Sequence, residues 1–173
     1  MRNNILFLFI FFAGTSVAQQ TSRAEDSTQI RNTVMSFYTW YNDNYQKLMN
    51  YQLYEGIKTN NQPPYRINWP QAEQYFQFIL STVPQLGEDY INKLRQHFIN
   101  ADSAFKKDVD SEIPFGFDYD WFTNSQEEPS YLLDELKKSG EWIISINGET
   151  ASVSIPSSSD DPGMKKFPVY CAT

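Results

Sequence analysis

The spacing of apolar residues changes once along this chain, and that change constrains the fold more than any other feature. Up to about Asp108, apolar residues recur at three- and four-residue steps, which is the spacing of amphipathic helices. From Trp142 onward they alternate with polar residues, which is the spacing of half-buried strands. Helices first and antiparallel strands last predict an α+β fold in which the helices cover one face of a sheet.

The helical part of the sequence divides into three segments. The first, roughly Ser27 to Tyr51, follows a capping box that begins at Asp26. The second starts near Pro70, and its apolar stripe, which includes Tyr75, is expected in the core. The third opens at Gly87 and has a similar stripe that includes Phe98. The cluster of turn residues at 60–64 contains two prolines and separates the first helix from the second. We therefore expect a long first helix and two further helices.

Four aromatic residues in five, Phe37 to Tyr41, mark the middle of the first helix. Phe37 and Tyr41 fall on the apolar stripe and are expected in the core, because a small domain without disulfides needs that burial. Tyr38 and Trp40 lie off the stripe. Rings with a polar tip suit a ligand pocket or a protein interface, so these two residues and Trp69 are candidate binding residues.

The C-terminal part reads as an ordered aromatic loop, a short helix and a strand meander. Asn147-Gly148 is a strong hairpin turn signal. The predicted elements are the loop at 113–122, a helix over Pro129 to Lys138, strands over Trp142 to Ile146 and Thr150 to Ile155, and a third strand over Phe167 to Cys171.

Residues 1–18 are typical of a secretory signal. Arg2 supplies positive charge, an uninterrupted apolar run follows, and Ser16-Val17-Ala18 places small residues at the cleavage positions. The apolar run is shorter than the ~20 residues that span a bilayer. We expect cleavage before Gln19, a single domain over residues 19–173, no membrane span after cleavage, and a periplasmic or secreted location.

The charge distribution limits the kinds of binding partner, and the cysteine count limits the possible disulfides. Between Asp102 and Asp161 there are fourteen acidic residues and four lysines, and the whole chain carries a net charge of -7. Nucleic acids and anionic membranes require a cationic face, so neither is expected as a partner. Cys171 is the only cysteine, which excludes an internal disulfide and leaves a free thiol or an intermolecular bridge.

At three places the chain resembles a family of exported bacterial domains of unknown function with a cystatin-like, NTF2-like cone fold. Members open with a Phe-Tyr-x-Trp-Tyr helix, which residues 37–41 match. They also carry a middle helix similar to residues 90–94, and an acidic aromatic loop similar to 118–122 near Gln126. The resemblance implies a cone of helices on a C-terminal meander and assigns no role to any of these residues.

Relatives in that family usually continue into one more strand, whereas this chain stops at Thr173. We expect either a truncated C-terminus or a sheet that ends in an unpaired edge. An exposed edge strand can pair with a second chain, which predicts a homodimer formed through that edge.

Catalytic chemistry has few candidates in this sequence. His97 is the only histidine, and enzymes of the NTF2-like type often pair a histidine with an acid, here Asp102 or Asp118. Asp118 and Asp120 flank a tyrosine in a ring-rich loop, which makes them the best acid or base candidates. Simple capping of a turn by the same two carboxylates is the alternative.

The sequence contains no complete motif for a bound metal ion or cofactor. Ile113 replaces the glycine that an EF-hand needs after Asp108, although a looser calcium site at Asp118 and Asp120 or at residues 160–161 stays open. Histidine and cysteine are too few for common zinc sites. Phosphate loops, G-x-S-x-G elbows and His-Glu-x-x-His motifs are missing, so neither a cofactor nor a metal is expected.

These observations predict an exported, non-enzymatic binding or interaction domain that recognises a small ligand, a peptide or an envelope protein, including an inhibitor or immunity role. The predicted binding residues are Tyr38, Trp40, Trp69, Asp118 and Trp121. The alternative is an NTF2-like enzyme that uses His97 with Asp118 or Asp120.

Overall fold

Four helices and two antiparallel sheets make up the described part of the chain in the computed structural model. The described residues are 15–58, 61–83, 86–107, 110, 114–123, 126–147, 150–156 and 164–169. In chain order the elements are α1 (Thr15–Met49), β1 (Tyr54–Lys58), β2 (Gln62–Ile67), α2 (Trp69–Thr82), α3 (Glu88–Phe105), α4 (Pro129–Lys138), β3 (Ile143–Asn147), β4 (Thr150–Pro156) and β5 (Met164–Val169). The fold is α+β, as the apolar spacing predicts.

Helix α1 starts earlier than the capping signal indicates. Asp26 lies inside the helix, eleven residues after its first residue Thr15. The intervening segment contains neither proline nor glycine, so nothing in it ends a helix. The expected start at Ser27 is therefore wrong, and the expected cleavage point before Gln19 falls within α1. Residues 1–14 of the predicted signal lie outside the described residues.

Helices α2 and α3 begin where their sequence signals place them. The Asn68 side chain accepts a hydrogen bond from the backbone N–H of Gln71 at 3.4 Å, and Pro70 occupies the first turn of α2. Gly87 is the N-cap of α3. The predicted apolar stripes are buried at Tyr75 and Phe98, among others, and the two helices meet through them. Helix α4 has the predicted bounds.

The hairpin of β1 and β2 was not predicted from the sequence. Pro63 and Pro64 in β2 indicated a turn, yet both lie in a strand that pairs antiparallel with β1. A two-stranded sheet has only edge strands, and an edge tolerates residues without an N–H donor. A bulge between Gly56 and Lys58 accompanies the turn, where Asn61 has a positive φ of 57° and its side chain accepts a hydrogen bond from the Gly56 N–H.

The C-terminal meander has the strand order β3-β4-β5. Its first hairpin pairs Ile143 with Ser154 and Asn147 with Thr150, as the Asn-Gly signal predicts. Strand β5 begins at Met164, three residues before the expected start, and Tyr170 and Cys171 lie outside the described residues. Pro168 belongs to β5, an outer strand of this sheet.

One hydrophobic cluster connects the helices to the meander. The fully buried side chains include Phe76, Phe98, Leu136 and Ile155, which come from α2, α3, α4 and β4. Helix α1 contacts α4. At the entry to β3, the guanidinium of Arg31 lies 4.9 Å from the centre of the Trp142 ring.

Candidate functional site

The aromatic loop, residues 114–123, is folded around the carboxylate of Asp120. One carboxylate oxygen, Oδ1, accepts hydrogen bonds from the backbone N–H groups of Phe122 at 2.7 Å and Thr123 at 2.9 Å. The other, Oδ2, accepts a hydrogen bond from the hydroxyl of Tyr41 on α1. The turn-capping interpretation of Asp120 is thus correct for this residue, and its second oxygen connects the loop to α1.

A second hydroxyl from α1 holds the same loop. Tyr38 lies one helical turn before Tyr41, so both side chains leave the same face of the helix. The Tyr38 hydroxyl donates to the backbone carbonyl of Phe122 at 3.0 Å, and the Tyr38 side chain is buried. In the structure Tyr38 therefore anchors the loop from inside the protein.

His97 holds the opposite end of the loop. The ring donates a hydrogen bond from Nε2 to the Gly116 carbonyl oxygen at 3.1 Å and contacts Phe117 and Trp121. Gly116 has a φ of 78°, and a Cβ there would lie 3.0 Å from the imidazole. Glycine is the residue that combines this backbone conformation with such a close approach.

The loop and the C-terminal end of α1 enclose a cavity of about 510 Å³. Its lining residues include Leu48 at the end of α1, Tyr51 after that helix, Tyr54 of β1 and Tyr75 of α2. The aromatic loop completes the wall with residues 117–121. Cavities that bind small ligands in proteins commonly measure ≈ 300–1,000 Å³, so this one is large enough for such a molecule.

Five rings follow one another around this cavity, and we call them the ring arc: Tyr51, Tyr75, Trp121, Phe117 and Tyr54. Successive ring centres are 5.5, 6.1, 5.6 and 5.0 Å apart, and each pair meets edge to face. The indole N–H of Trp121 also donates to the Tyr75 hydroxyl at 3.2 Å. Because neighbouring rings are steeply inclined to one another, the arc is not a single flat surface.

The charge on the cavity wall has one sign. Carboxylates of Asp118, Asp120 and Glu127 line it, and none of the described lining residues is Lys, Arg or His. Gln126, also on the wall, donates from its amide Nε2 to the Asp118 carbonyl at 3.0 Å, which braces the segment after the loop. The cavity is therefore aromatic and acidic.

The tyrosine hydroxyls near Asp120 are held in their neutral form. Burial and then the Asp120 charge raise the pKa of Tyr38 and of Tyr41 far above the usual value of 10.0. Burial also raises the pKa of Tyr75 well above that value, and the nearby Asp120 acts in the same direction. The pKa of Tyr45 is raised by the same two causes. These hydroxyls stay protonated at neutral pH.

The structure brings together some of the predicted site residues. Asp118, Asp120 and Trp121 all line the cavity. Trp40 lies outside it, half-buried between Phe37 and Phe78. Trp69 is likewise outside the cavity wall, half-buried at the first residue of α2.

Several cavity residues were not predicted. Tyr41 was assigned to the core, and its ring is buried, but its hydroxyl reaches the cavity at Asp120. Tyr54 belongs to the hairpin that the sequence did not reveal. Tyr75 was expected as a core residue, which its 2% exposure bears out, and it contributes to the wall as well.

The candidate catalytic residues do not form one cluster around His97. Asp102 accepts a hydrogen bond from the Ile67 N–H at 3.1 Å and forms an ion pair with Lys106 at 3.0 Å. The first contact connects α3 to β2, and the second is an i,i+4 pair at the C-terminal end of α3. Within the described residues, no group of three or more His, Cys, Asp or Glu side chains is arranged to hold a metal ion.

We compared the chain with known protein families, curated proteins and solved structures. No protein-family model, curated protein or solved structure matches the chain. In the part of the chain that the structure describes, no helix is both long and apolar enough to cross a bilayer.

Proposed function

We propose that this protein is an exported binding domain, without catalytic activity, whose ligand site is the cavity at the C-terminal end of α1. The observation that carries the proposal is the cavity itself, about 510 Å³ in volume and walled by rings and carboxylates. Hydrogen bonds from Tyr38, Tyr41 and His97 hold the loop that forms its wall, so much of the site is formed before a ligand arrives.

The contacts of His97 favour binding over the NTF2-like enzyme. A catalytic histidine paired with an acid would direct a ring nitrogen at a carboxylate. The observed hydrogen bond instead joins Nε2 to the Gly116 carbonyl oxygen. Both oxygens of Asp120 are engaged by Tyr41 and by the loop backbone, and Asp102 is engaged by Ile67 and Lys106. His97 is then a residue that shapes the loop.

Export and the NTF2-like family assignment belong to the same proposal. Residues 1–18 would direct the chain to the periplasm or the medium, and the mature protein would begin at Gln19. Mass spectrometry of the protein recovered from a secreting host tests this. A mature mass that corresponds to a start at Gln19 is expected, and an uncleaved chain in the cytosol would contradict it.

The edge of the meander supports a further part of the proposal, a homodimer formed by strand pairing. Both β3 and β5 are outer strands of the described sheet. Light scattering after size-exclusion chromatography distinguishes the states, since strand pairing predicts twice the monomer mass. A monomeric mass across the accessible concentration range would end this idea and leave the cavity unaffected.

Blocking the cavity tests the binding function. Gln52 is exposed and lies on the cavity wall, so Gln52→Trp should fill part of the cavity without disturbing the core. Gln46→Trp makes the same change on an exposed face of α1, away from the wall, and is the control. The probe is a mixture of cationic, neutral and anionic small molecules observed by ligand-detected NMR.

We expect at least one probe to bind the wild-type protein and the Gln46→Trp variant, and to lose binding in Gln52→Trp. If no probe of any charge class binds, the proposed function is wrong. Equal binding by the two variants would place the ligand somewhere else on the protein.

A further inference from the structure

The ring arc and the charge of the cavity together point to one ligand class. We infer that the cavity selects a small organic ammonium ion, a quaternary or protonated amine with apolar groups around its nitrogen. This inference rests on the proposed binding function and specifies its ligand.

The first step concerns the rings. A cation is attracted to the negative face of an aromatic ring within ≈ 6 Å of its centre, and quaternary ammonium ions are bound in proteins by several rings at once. Successive rings of the arc meet at 78°, 89°, 89° and 60°, so their faces do not form one flat platform. Such a wall suits a rounded ligand with apolar groups on several sides, and it suits a flat one less well.

The second step concerns charge. An anion entering the cavity would approach Asp118 and Asp120, and none of the described lining residues is a basic one that would offset their repulsion. A neutral ligand can donate hydrogen bonds to these carboxylates, but it gains no charge–charge attraction from them. A cation gains attraction from both Asp118 and Asp120, and the low dielectric of a partly closed cavity strengthens that attraction.

The third step concerns how the charge is held. Asp120 is half-buried and accepts three hydrogen bonds, two from backbone N–H groups and one from Tyr41. Its carboxylate is therefore fixed in place at the inner wall, whereas the side chain of Asp118 is exposed. Asp120 thus holds negative charge at a fixed position on the wall, and the exposed side chain of Asp118 can meet a ligand directly.

The experiment compares choline with its neutral carbon isostere, in which carbon replaces the ammonium nitrogen. The two molecules have nearly the same shape, so a difference in affinity measures the positive charge. Isothermal titration calorimetry of the protein should give choline an affinity roughly 30-fold higher than that of the isostere, the ratio expected for a desolvated cation over rings. Acetate, the anionic probe, should not bind.

Two substitutions separate the contributions of charge and ring. Asp118→Asn keeps the size of the side chain and removes its charge, so it should weaken choline binding and leave the isostere unchanged. Asp110→Asn, at an exposed residue off the cavity wall, is the matched control. Tyr54→Leu keeps an apolar side chain and removes one ring of the arc, and Tyr131→Leu, exposed on α4, is its control.

Thermal unfolding of each variant shows whether a loss of binding is caused by a loss of the fold. Loss of choline binding in Tyr54→Leu supports the inference only if the variant unfolds cooperatively, and Asp118→Asn provides the second test because an exposed side chain carries little of the fold. If choline and the isostere bind equally, the ammonium inference fails while the proposed binding function stands. If no probe of any charge binds, both fail.

Discussion

Tyr41 of α1 and Asp120 of the aromatic loop lie 79 residues apart in the chain and are joined by a hydrogen bond from hydroxyl to carboxylate. The same carboxylate closes the loop through the backbone of Phe122 and Thr123. One acidic side chain therefore sets the local turn and attaches that turn to the longest helix. The shape of the cavity depends on both roles.

Removing the Tyr41 hydroxyl should destabilise the protein measurably. Tyr41→Phe keeps the buried ring and leaves one Asp120 oxygen without its donor. Hydrogen bonds to charged groups contribute about 1.5–3 kcal/mol, so we expect a loss of about 2 kcal/mol in the free energy of unfolding. Urea denaturation measures it. Tyr45→Phe, at a half-buried ring four residues on, should cost less than about 0.5 kcal/mol. Equal effects in the two variants would contradict the proposed role of this hydrogen bond.

Stability should fall as the pH rises above about 10. Burial raises the pKa values of Tyr38, Tyr41 and Tyr75 in the folded protein above the usual value of 10.0. Above that pH the unfolded chain releases these protons while the folded chain keeps them. Below pH 10 these tyrosines therefore make their full contribution to the free energy of unfolding. Above pH 10 that free energy decreases by about 1.4 kcal/mol per pH unit for each such tyrosine.

Urea titrations at a series of alkaline pH values measure that slope. Tyr41→Phe should make it shallower by the contribution of one proton. Ultraviolet absorbance of tyrosinate provides an independent measurement, since fewer than the chain's 11 tyrosines should ionise until the protein unfolds. An unchanged slope in Tyr41→Phe would show that Tyr41 ionises normally in the folded protein.

A side chain at position 116 should disturb the loop. Gly116→Ala places a non-glycine residue at φ 78° and brings its Cβ to 3.0 Å from the His97 ring. We expect a loss of about 1–3 kcal/mol in the free energy of unfolding. Gly140→Ala is the control, because a Cβ there meets no atom within 4 Å. In a double-mutant cycle, Gly116→Ala should cost less in a His97→Ala background than in the wild type, and an equal cost in both backgrounds would mean that backbone strain accounts for all of it.

Core truncation should affect α4 more than the end of α2. Leu136 is fully buried, whereas Leu80 is only partly buried at the edge of the same cluster. Leu136→Ala should cost about 2–5 kcal/mol and Leu80→Ala clearly less. Thermal or urea unfolding of the two variants gives the comparison. A larger loss for Leu80→Ala would contradict the assignment of α4 to the core.

Local patterns in the sequence were sufficient for the regular elements. The spacing of Tyr75, Phe98 and their neighbours predicted α2 and α3, and the Asn147-Gly148 signal predicted the hairpin of the meander. Each of these signals acts over a few residues. The hairpin of β1 and β2 was not predicted because proline residues such as Pro63 and Pro64 are unfavourable in a central strand. Only the complete sheet shows that their strand lies at an edge.

The site was harder to predict because its contacts join distant segments. Helical spacing placed Tyr38 off the stripe of Phe37 and Tyr41, whereas the structure buries Tyr38 and leaves Phe37 partly buried. Spacing alone could not show that the Tyr38 and Tyr41 hydroxyls both face one loop more than 75 residues later. Asp118, Asp120 and Trp121 were found because acids and rings are concentrated in that loop. Trp40 was singled out for lying off the stripe, and the structure packs it against Phe78 of α2.

The ring arc draws its members from the segment after α1, from β1, from α2 and from the aromatic loop, so no continuous piece of the chain contains it. A proteolytic fragment that lacks any one of these segments would have no cavity to offer a ligand. Ligand binding and folding are consequently linked, because a ligand that binds only the complete arc stabilises the folded protein relative to every partly unfolded state. The protection that the ligand gives against proteases therefore measures its affinity.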